Sequence, residues 1–173
     1  MLIVTAGLPG AGKSTIAGVV GNRIGAPVVS VDPIESAILS AGINADEPTG
    51  LAAYLVAETI AESVLAGGGS VIVDAVNAVE PARDQWVRLA SRQKVAIKFL
   101  EVVCSDPEVH RTRMVSRGRR LAHLAEPTWH AIEQSLDEWE TWSGSSGAVP
   151  RITLDSVQPL GVNVERALAF LDV

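Results

Sequence analysis

The sequence has one cysteine, no basic leader and no long apolar run, and each absence narrows the class of protein. Cys104 has no second cysteine to pair with, so an internal disulfide is excluded and a reducing, cytoplasmic setting is expected. The first residues place no basic segment ahead of a long apolar stretch, which argues against a secretory signal. No apolar run approaches the roughly 20 residues that a membrane-spanning helix needs, so no membrane association is expected.

Positive charge is scarce as well. The chain carries 14 lysines and arginines against 20 acidic residues, for a net charge of −6. General nucleic-acid binders are usually basic, so this balance makes a nucleic-acid partner unlikely. One segment departs from the average, because five arginines fall within ten residues: Arg111, Arg113, Arg117, Arg119 and Arg120. This cluster fits a local polyanionic ligand such as a polyphosphate, or alternatively a solvated, charged helix end.

The order of apolar segments predicts the fold class. Residues 2–6, 27–31, 70–74, 95–103 and 151–154 are predicted strands, and helical patterns separate them. Strands alternating with helices predict a mainly parallel sheet. We find no repeats, no low-complexity tract and no linker, so 173 residues are expected to form one three-layer α/β/α domain.

Two of the predicted helices have distinctive sequence patterns. The string Asp32-Pro33-Ile34-Glu35 is typical of a helix start, with Asp32 as the N-cap and Pro33 at the first helical position. Residues 51–65 form a long apolar pattern that carries only two glutamates, which predicts a largely buried helix.

The segment GLPGAGKS at residues 7–14 is the strongest motif, because it matches G-x-x-x-x-G-K-[ST] in full between a predicted strand and a predicted helix. Its glycines let the backbone turn with N–H groups facing a phosphate, and the helix N-terminus adds partial positive charge. Lys13 is expected to bridge the β- and γ-phosphates, the Ser14 hydroxyl to bind Mg²⁺, and Thr15 to help hold the α-phosphate. The expected cofactors are therefore ATP and Mg²⁺, with ATP and GTP not distinguished. The predicted nucleotide-binding residues are Gly7, Gly10, Ala11, Gly12, Lys13, Ser14 and Thr15, together with Arg113 and Arg117.

These motifs resemble those of P-loop kinases related to the nucleoside monophosphate kinases. More narrowly, the chain looks like the branch with chloramphenicol phosphotransferase, the kinase domain of phage polynucleotide kinase and zeta-toxin-like proteins. Besides the P-loop, the resemblance rests on Val31-Asp32, on the string VIVD at 71–74 with Asn77, and on the arginines at 111–120. It implies a P-loop NTPase fold with a five-stranded parallel sheet in the order 2-3-1-4-5. It also implies a mobile, arginine-bearing lid at about residues 115–127.

Other P-loop classes fit less well. A GTPase would carry N-K-x-D and D-x-x-G strings, and neither occurs. Hydrolytic ATPases of the AAA type usually place a glutamate after the aspartate of their second motif to activate water, whereas Ala75 follows Asp74 here. Transfer of phosphate to a bound hydroxyl is therefore favoured over hydrolysis.

Asp32 has two interpretations. It falls at the carboxyl end of the second predicted strand, the edge where open α/β sheets bind ligands. The resembled kinases place there an aspartate that accepts the proton of the substrate hydroxyl. The alternative is a structural helix cap, whose carboxylate would be the weaker base. We expect Asp32 to contact the acceptor and to act in catalysis, with capping as a possible second role.

The remaining candidates are less specific. Asp74 ends a buried strand beside the P-loop strand and is expected to hold Mg²⁺, although a turn with Asn77 would explain it too. Asn77 and Arg83 are candidates for the acceptor pocket, or simply for loop hydrogen bonding. Arg113 and Arg117 are spaced i,i+4, as the resembled lids are, and could stabilise the charge of the moving phosphoryl group.

The three histidines, His110, His123 and His130, show no metal-ligand spacing and are assigned to core or surface roles. The sequence as a whole predicts a phosphotransferase that moves the γ-phosphate of ATP to a hydroxyl of a small-molecule acceptor. Two alternatives stay open: a polynucleotide 5′-hydroxyl kinase, and a nucleotide-sensing module without efficient transfer. The identity of the acceptor and the oligomeric state are not encoded in any pattern that we find.

Overall fold

Five parallel strands form the central sheet of the structure, a computed structural model that describes residues 1–116 and 121–173. The strands run in the spatial order β2-β3-β1-β4-β5, and every pairing is parallel. Their bounds are β1 (Leu2–Ala6), β2 (Val28–Ser30), β3 (Val71–Asp74), β4 (Ile97–Val103) and β5 (Arg151–Asp155). Because all five strands point the same way, their carboxyl ends meet at one edge of the sheet. The strand order and direction expected from the sequence are confirmed.

Helices cover both faces of the sheet. Their bounds are α1 (Lys13–Ile24), α2 (Val31–Ser40), α3 (Thr49–Ala66), α4 (Glu80–Gln93), α5 (Pro107–Ser116), α6 (Trp129–Asp137), α7 (Gly144–Gly147) and α8 (Leu160–Leu171). Alternate residues of β1 face opposite layers: Leu2 and Val4 pack with α3 and α4, and Ile3 packs with α1 and α8. A parallel strand covered on both faces has no polar side, which is why β1 is buried along its whole length. The three-layer α/β/α architecture is confirmed.

Helix α3 is only half buried, so the expectation of a largely buried helix is wrong. Alanines spaced four apart, at 53, 57 and 61, lie in the core. The opposite side exposes 61% of Leu51, 53% of Leu55 and 42% of Ile60. By length and composition alone this helix is also apolar enough to cross a membrane. The small core face and the large exposed face are both apolar, so the composition hides which side packs on the sheet.

Helix α2 begins two residues earlier than the sequence indicates. Its first residue is Val31 and its N-cap position is Ser30, whose side chain makes no capping hydrogen bond. Ser30 Oγ instead donates to Asp74 Oδ2 at 3.1 Å. Asp32 is therefore not the N-cap. It is the second helical residue, in the first turn at the carboxyl edge of the sheet.

The predicted lid at 115–127 falls partly outside the described residues. Arg117 belongs to the part that is outside, as do Arg119 and Arg120. Residues 121–127 of the predicted lid are described, and they contact α2. There Ser36 Oγ donates to the Ala122 carbonyl at 2.7 Å. The chain then enters α6, capped by Thr128.

Candidate functional site

A cavity of about 900 Å³ opens at the carboxyl edge of the sheet. The P-loop and the first turn of α1 form one wall, and the connection between β5 and α8 forms another. Predicted nucleotide-binding residues that line it are Gly10, Gly12, Lys13, Ser14, Thr15 and Arg113. Gly7 and Ala11 are buried parts of the same loop and do not line the cavity. The structure thus brings six of the eight described members of the predicted nucleotide set together around one opening.

The backbone of the P-loop requires glycine at its ends. At Gly7, φ is +147° and a Cβ atom would lie 2.1 Å from the Val102 carbonyl oxygen. The Gly7 N–H donates to the Val76 carbonyl at 3.0 Å, which ties the loop to the chain after β3. Gly12 is the N-cap of α1 in the left-handed conformation. Helix α1 therefore starts at the cavity, where its N-terminus favours an anionic group.

Lys13 is held against the loop that it follows. Its side chain is 8% exposed, and Nζ donates to the Leu8 carbonyl at 3.0 Å. Ser14 and Thr15 are exposed at the cavity wall. An ammonium group, two hydroxyls and a helix N-terminus at one opening form a site suited to a polyphosphate.

Asp74 lies at the end of β3, and its carboxylate is fixed by two hydroxyl groups. Thr5 Oγ1 donates to Oδ1 at 3.2 Å and Ser30 Oγ donates to Oδ2 at 3.1 Å. The residue is 5% exposed yet lines the cavity. The alternative turn with Asn77 does not form, because the carboxylate bonds to the two hydroxyls instead.

The donor set suits Mg²⁺. Asp74 and the Ser14 hydroxyl offer oxygen ligands on the same cavity, and Mg²⁺ prefers oxygen. Within residues 1–116 and 121–173, no group of three or more His, Cys, Asp or Glu could hold a metal by itself. Such an ion would take its other ligands from phosphate and water, as Mg²⁺ commonly does.

Asp32 lies where two cavities meet. It lines the large cavity, and it also lines a second one of about 150 Å³ between α2 and residues 121–127. Glu35, one turn further along α2, faces the second cavity too, and Thr49 Oγ1 donates to its Oε1 at 2.8 Å. Pro9 and Val76 also line both cavities, so a molecule in the small cavity would contact Asp32 beside the P-loop.

Arg113 extends from α5 to the far wall of the large cavity. Its Nη1 donates to Ser156 Oγ at 2.7 Å, and its Nη2 donates to the Ser156 carbonyl at 2.9 Å. These bonds fix the guanidinium beside the P-loop, since Ser156 also lies against Gly12. Its predicted partner, Arg117, lies outside the described residues, so the paired arrangement stays a prediction.

Asn77 and Arg83 line neither cavity, which corrects their assignment to the acceptor pocket. Both are fully buried. Asn77 Nδ2 donates to the Thr5 carbonyl at 2.7 Å, and its Oδ1 accepts from Trp86 Nε1 at 2.9 Å. Arg83 donates to the carbonyls of Asn77 and Ala78 at 2.8 and 2.7 Å, and its guanidinium lies 4.1 Å from the Trp142 ring centroid. Both side chains hold the chain after β3 in place.

Sequence reasoning missed several residues around the site. Thr5 and Ser30, which orient Asp74, could have been found as polar residues that end buried strands. Tyr54 reaches the same region from α3, where its hydroxyl accepts from the Asn77 N–H at 3.2 Å. Burial raises the pKa of Tyr54 to about 12, and the charges of Asp32 and Asp74 act in the same direction. Ser156 offered no signal, because its role depends on Arg113.

Taken together, the parallel sheet, the P-loop at the start of α1 and the oxygen donors beside it define a P-loop nucleotide-binding protein. A family model described as an AAA domain matches residues 2–141. The chain belongs to this family, AAA_33. No curated protein matches the chain significantly by sequence.

Solved structures share the fold over nearly the whole chain. A sugar kinase from Janibacter sp. HTCC2649 is 23% identical with a TM-score of 0.74, covering 99% of this chain and 94% of that one. A gluconokinase from Sinorhizobium meliloti 1021 is 24% identical with a TM-score of 0.66, covering 98% and 90%. Chaetomium thermophilum Kti12, solved in complex with ADP-AlF3, is 17% identical with a TM-score of 0.76, covering 99% and 97%. At these identities the comparison establishes the fold.

Proposed function

We propose that this protein is a kinase that transfers the γ-phosphate of ATP to a hydroxyl group of a small-molecule acceptor. The observation that carries the proposal is the position of Asp32, on the boundary between the P-loop cavity and a second, smaller cavity. The first cavity suits the nucleotide and the second suits the acceptor. An acceptor hydroxyl at the boundary would face the γ-phosphate.

The phosphate side of the site is assigned by charge. Lys13 and the N-terminus of α1 would bind the β- and γ-phosphates, and Thr15, in the same turn, would help hold the α-phosphate. Ser14 and Asp74 would hold Mg²⁺, which when bound neutralises charge on the transferring phosphate. Arg113, together with Arg117 from the lid, stabilises the charge that shifts as the phosphoryl group moves.

Asp32 orients the acceptor. Phosphoryl transfer has a loose transition state, so the carboxylate mainly has to hold the hydroxyl in line and take its proton. Glu35, which Thr49 holds in place, accepts a second hydrogen bond from the acceptor. Carboxylates are acceptors only, so the molecule in this cavity must donate, as hydroxyl groups do.

The residue after Asp74 favours transfer over hydrolysis. Ala75 offers no side chain that could activate water, although the family is described as an AAA domain. The fold shared with a sugar kinase and a gluconokinase supports transfer to a small acceptor. Membership of the chloramphenicol phosphotransferase branch is part of this proposal, carried by the motifs alone.

The test is ATP consumption with Mg²⁺ against a panel of hydroxyl-bearing metabolites and a 5′-hydroxyl oligonucleotide, with products identified by mass. We expect one small-molecule class to gain a phosphate, and Lys13→Ala to abolish the product while leaving the protein folded. Phosphorylation of the oligonucleotide alone, with a steep salt dependence, would instead establish the polynucleotide kinase. ATP binding without any phosphorylated product would leave a nucleotide-sensing module.

A further inference from the structure

A buried histidine outside the motifs contacts the P-loop directly. His110, on α5, is 5% exposed, and its Nε2 lies 2.7 Å from the Pro9 carbonyl oxygen. The ring also packs edge-on against Trp129, with centroids 5.3 Å apart and planes at 89°. His110 therefore connects the P-loop, α5 and the first residue of α6.

The chemistry of this contact fixes which partner donates. The Pro9 carbonyl has no hydrogen, so Nε2 must carry the proton and donate it. The contact therefore holds the Pro9 carbonyl against α5.

Because a peptide unit is planar, the hydrogen bond at the Pro9 carbonyl also sets the direction of the Gly10 N–H. The chain has no cis peptide bonds in the described residues, so the Pro9–Gly10 unit is trans and planar. In such a unit the C=O and the following N–H point in opposite directions. A carbonyl anchored to His110 thus turns the Gly10 N–H away from α5. Pro9 and Gly10 both line the nucleotide cavity.

Side chains of α5 pack against the loop at this point, where the positive φ of Gly10 favours glycine. Gly10 has φ +80°, and a Cβ atom there would lie 2.4 Å from Met114 Sδ and 3.2 Å from His110 Cδ2. The same helix carries Arg113 to the opposite wall of the cavity. Side chains of α5 thus contact the P-loop, through His110 and Met114, and Ser156, through Arg113.

We propose that His110 is a positioning residue that orients the Gly10 N–H toward the bound phosphates. The inference rests on the proposed function in that it takes the cavity to hold ATP, but it needs no knowledge of the acceptor. It predicts an effect on the phosphate part of the nucleotide and none on the base and ribose.

Two substitutions separate the hydrogen bond from packing. His110→Phe keeps a planar ring against Trp129 and removes the N–H donor. His110→Gln restores an amide N–H at a similar reach. His130→Ala is the matched control, because His130 lies on α6 with 78% of its side chain exposed. Affinities are measured by calorimetry for MgATP, and by displacement of a fluorescent nucleotide for tripolyphosphate and for adenosine.

We expect His110→Phe to weaken MgATP and tripolyphosphate by about 3- to 10-fold, the usual effect of one buried hydrogen bond. Adenosine affinity should not change, His110→Gln should recover most of the loss, and His130→Ala should match the wild type. If His110→Phe bound MgATP as tightly as the wild type, the inference about His110 would be overturned and the proposed function would stand. An equal loss for adenosine, or a failure of His110→Gln to recover affinity, would overturn the inference too, because each would assign the effect to packing. A wild-type protein that binds no MgATP would overturn the proposed function as well.

Discussion

Asp32 shows how the neighbours of a single side chain decide its role. The sequence allowed a helix cap or a catalytic carboxylate, and the structure removes the capping role because Ser30 holds the N-cap position. What remains is a carboxylate in the first turn of α2, facing two cavities. Its stability contribution should accordingly be small, and its contribution to transfer large.

The corresponding prediction is for Asp32→Asn and Asp32→Ala. Both should reduce phosphotransfer by about 10²-fold or more, the usual scale for loss of a general base. ATP affinity and melting temperature should stay near wild type in both, since Ser30 and not Asp32 is the N-cap of α2. Asp46→Asn, in an exposed loop, is the control. Full transfer activity in Asp32→Asn would place the catalytic base elsewhere.

At the scale of elements, α5 carries Arg113 to the wall of the P-loop cavity. Ser156 accepts two hydrogen bonds from the Arg113 guanidinium and so fixes its position. We predict that Arg113→Ala lowers kcat more than it raises the KM for ATP, as expected for an interaction that strengthens in the transition state. Steady-state kinetics against Arg111→Ala, an exposed position on the same helix, provide the comparison. A higher KM for ATP with an unchanged kcat would contradict this prediction, because it would show that Arg113 contacts ATP equally in the ground state and the transition state.

The segment that follows α6 packs onto the start of α4 through Arg83. Its guanidinium lies between the Trp142 and Trp139 rings, 4.1 and 5.3 Å from their centroids. Burial lowers the pKa of Arg83, and the nearby carboxylates Glu80 and Glu101 oppose that shift. Arg83 thus joins α4 to the segment that follows α6.

Arg83→Ala should therefore lower the free energy of unfolding by about 3 kcal/mol, from lost charged hydrogen bonds and cation–π contacts. Denaturant unfolding measures this, with Arg88→Ala as the control, since that arginine is exposed on the same helix. The ATP affinity of the folded fraction should not change. A stable Arg83→Ala variant with weakened acceptor binding would restore its assignment to the acceptor pocket.

The same elements show what the sequence could predict. The P-loop depends on consecutive residues and the parallel sheet on a regular alternation of strands and helices, so both were accessible, while the strand order came from the resemblance to P-loop kinases. The start of α2 was not, because Ser30 bonds to Asp74, 44 residues away. Arg83 was misassigned for a similar reason, since its burial depends on tryptophans more than 50 positions later in the chain. Nonlocal contacts of this kind leave no local pattern.

For the molecule as a whole, we propose that the two adjoining cavities serve two substrates. The acceptor hydroxyl, and not water, then lies in line with the γ-phosphate at Asp32. That choice between transfer and hydrolysis is the central claim, because the fold and the P-loop are compatible with both.

The most direct test uses the acceptor that the metabolite panel identifies, in its unphosphorylated form. It is incubated with the protein and MgATP in ¹⁸O-labelled water, and the acceptor product and any inorganic phosphate are analysed by mass. We predict a phosphorylated acceptor that contains no ¹⁸O from water, formed in step with ADP, with little labelled inorganic phosphate. ADP matched instead by ¹⁸O-labelled inorganic phosphate, with no phosphorylated acceptor, would show a hydrolase and contradict the proposed transfer.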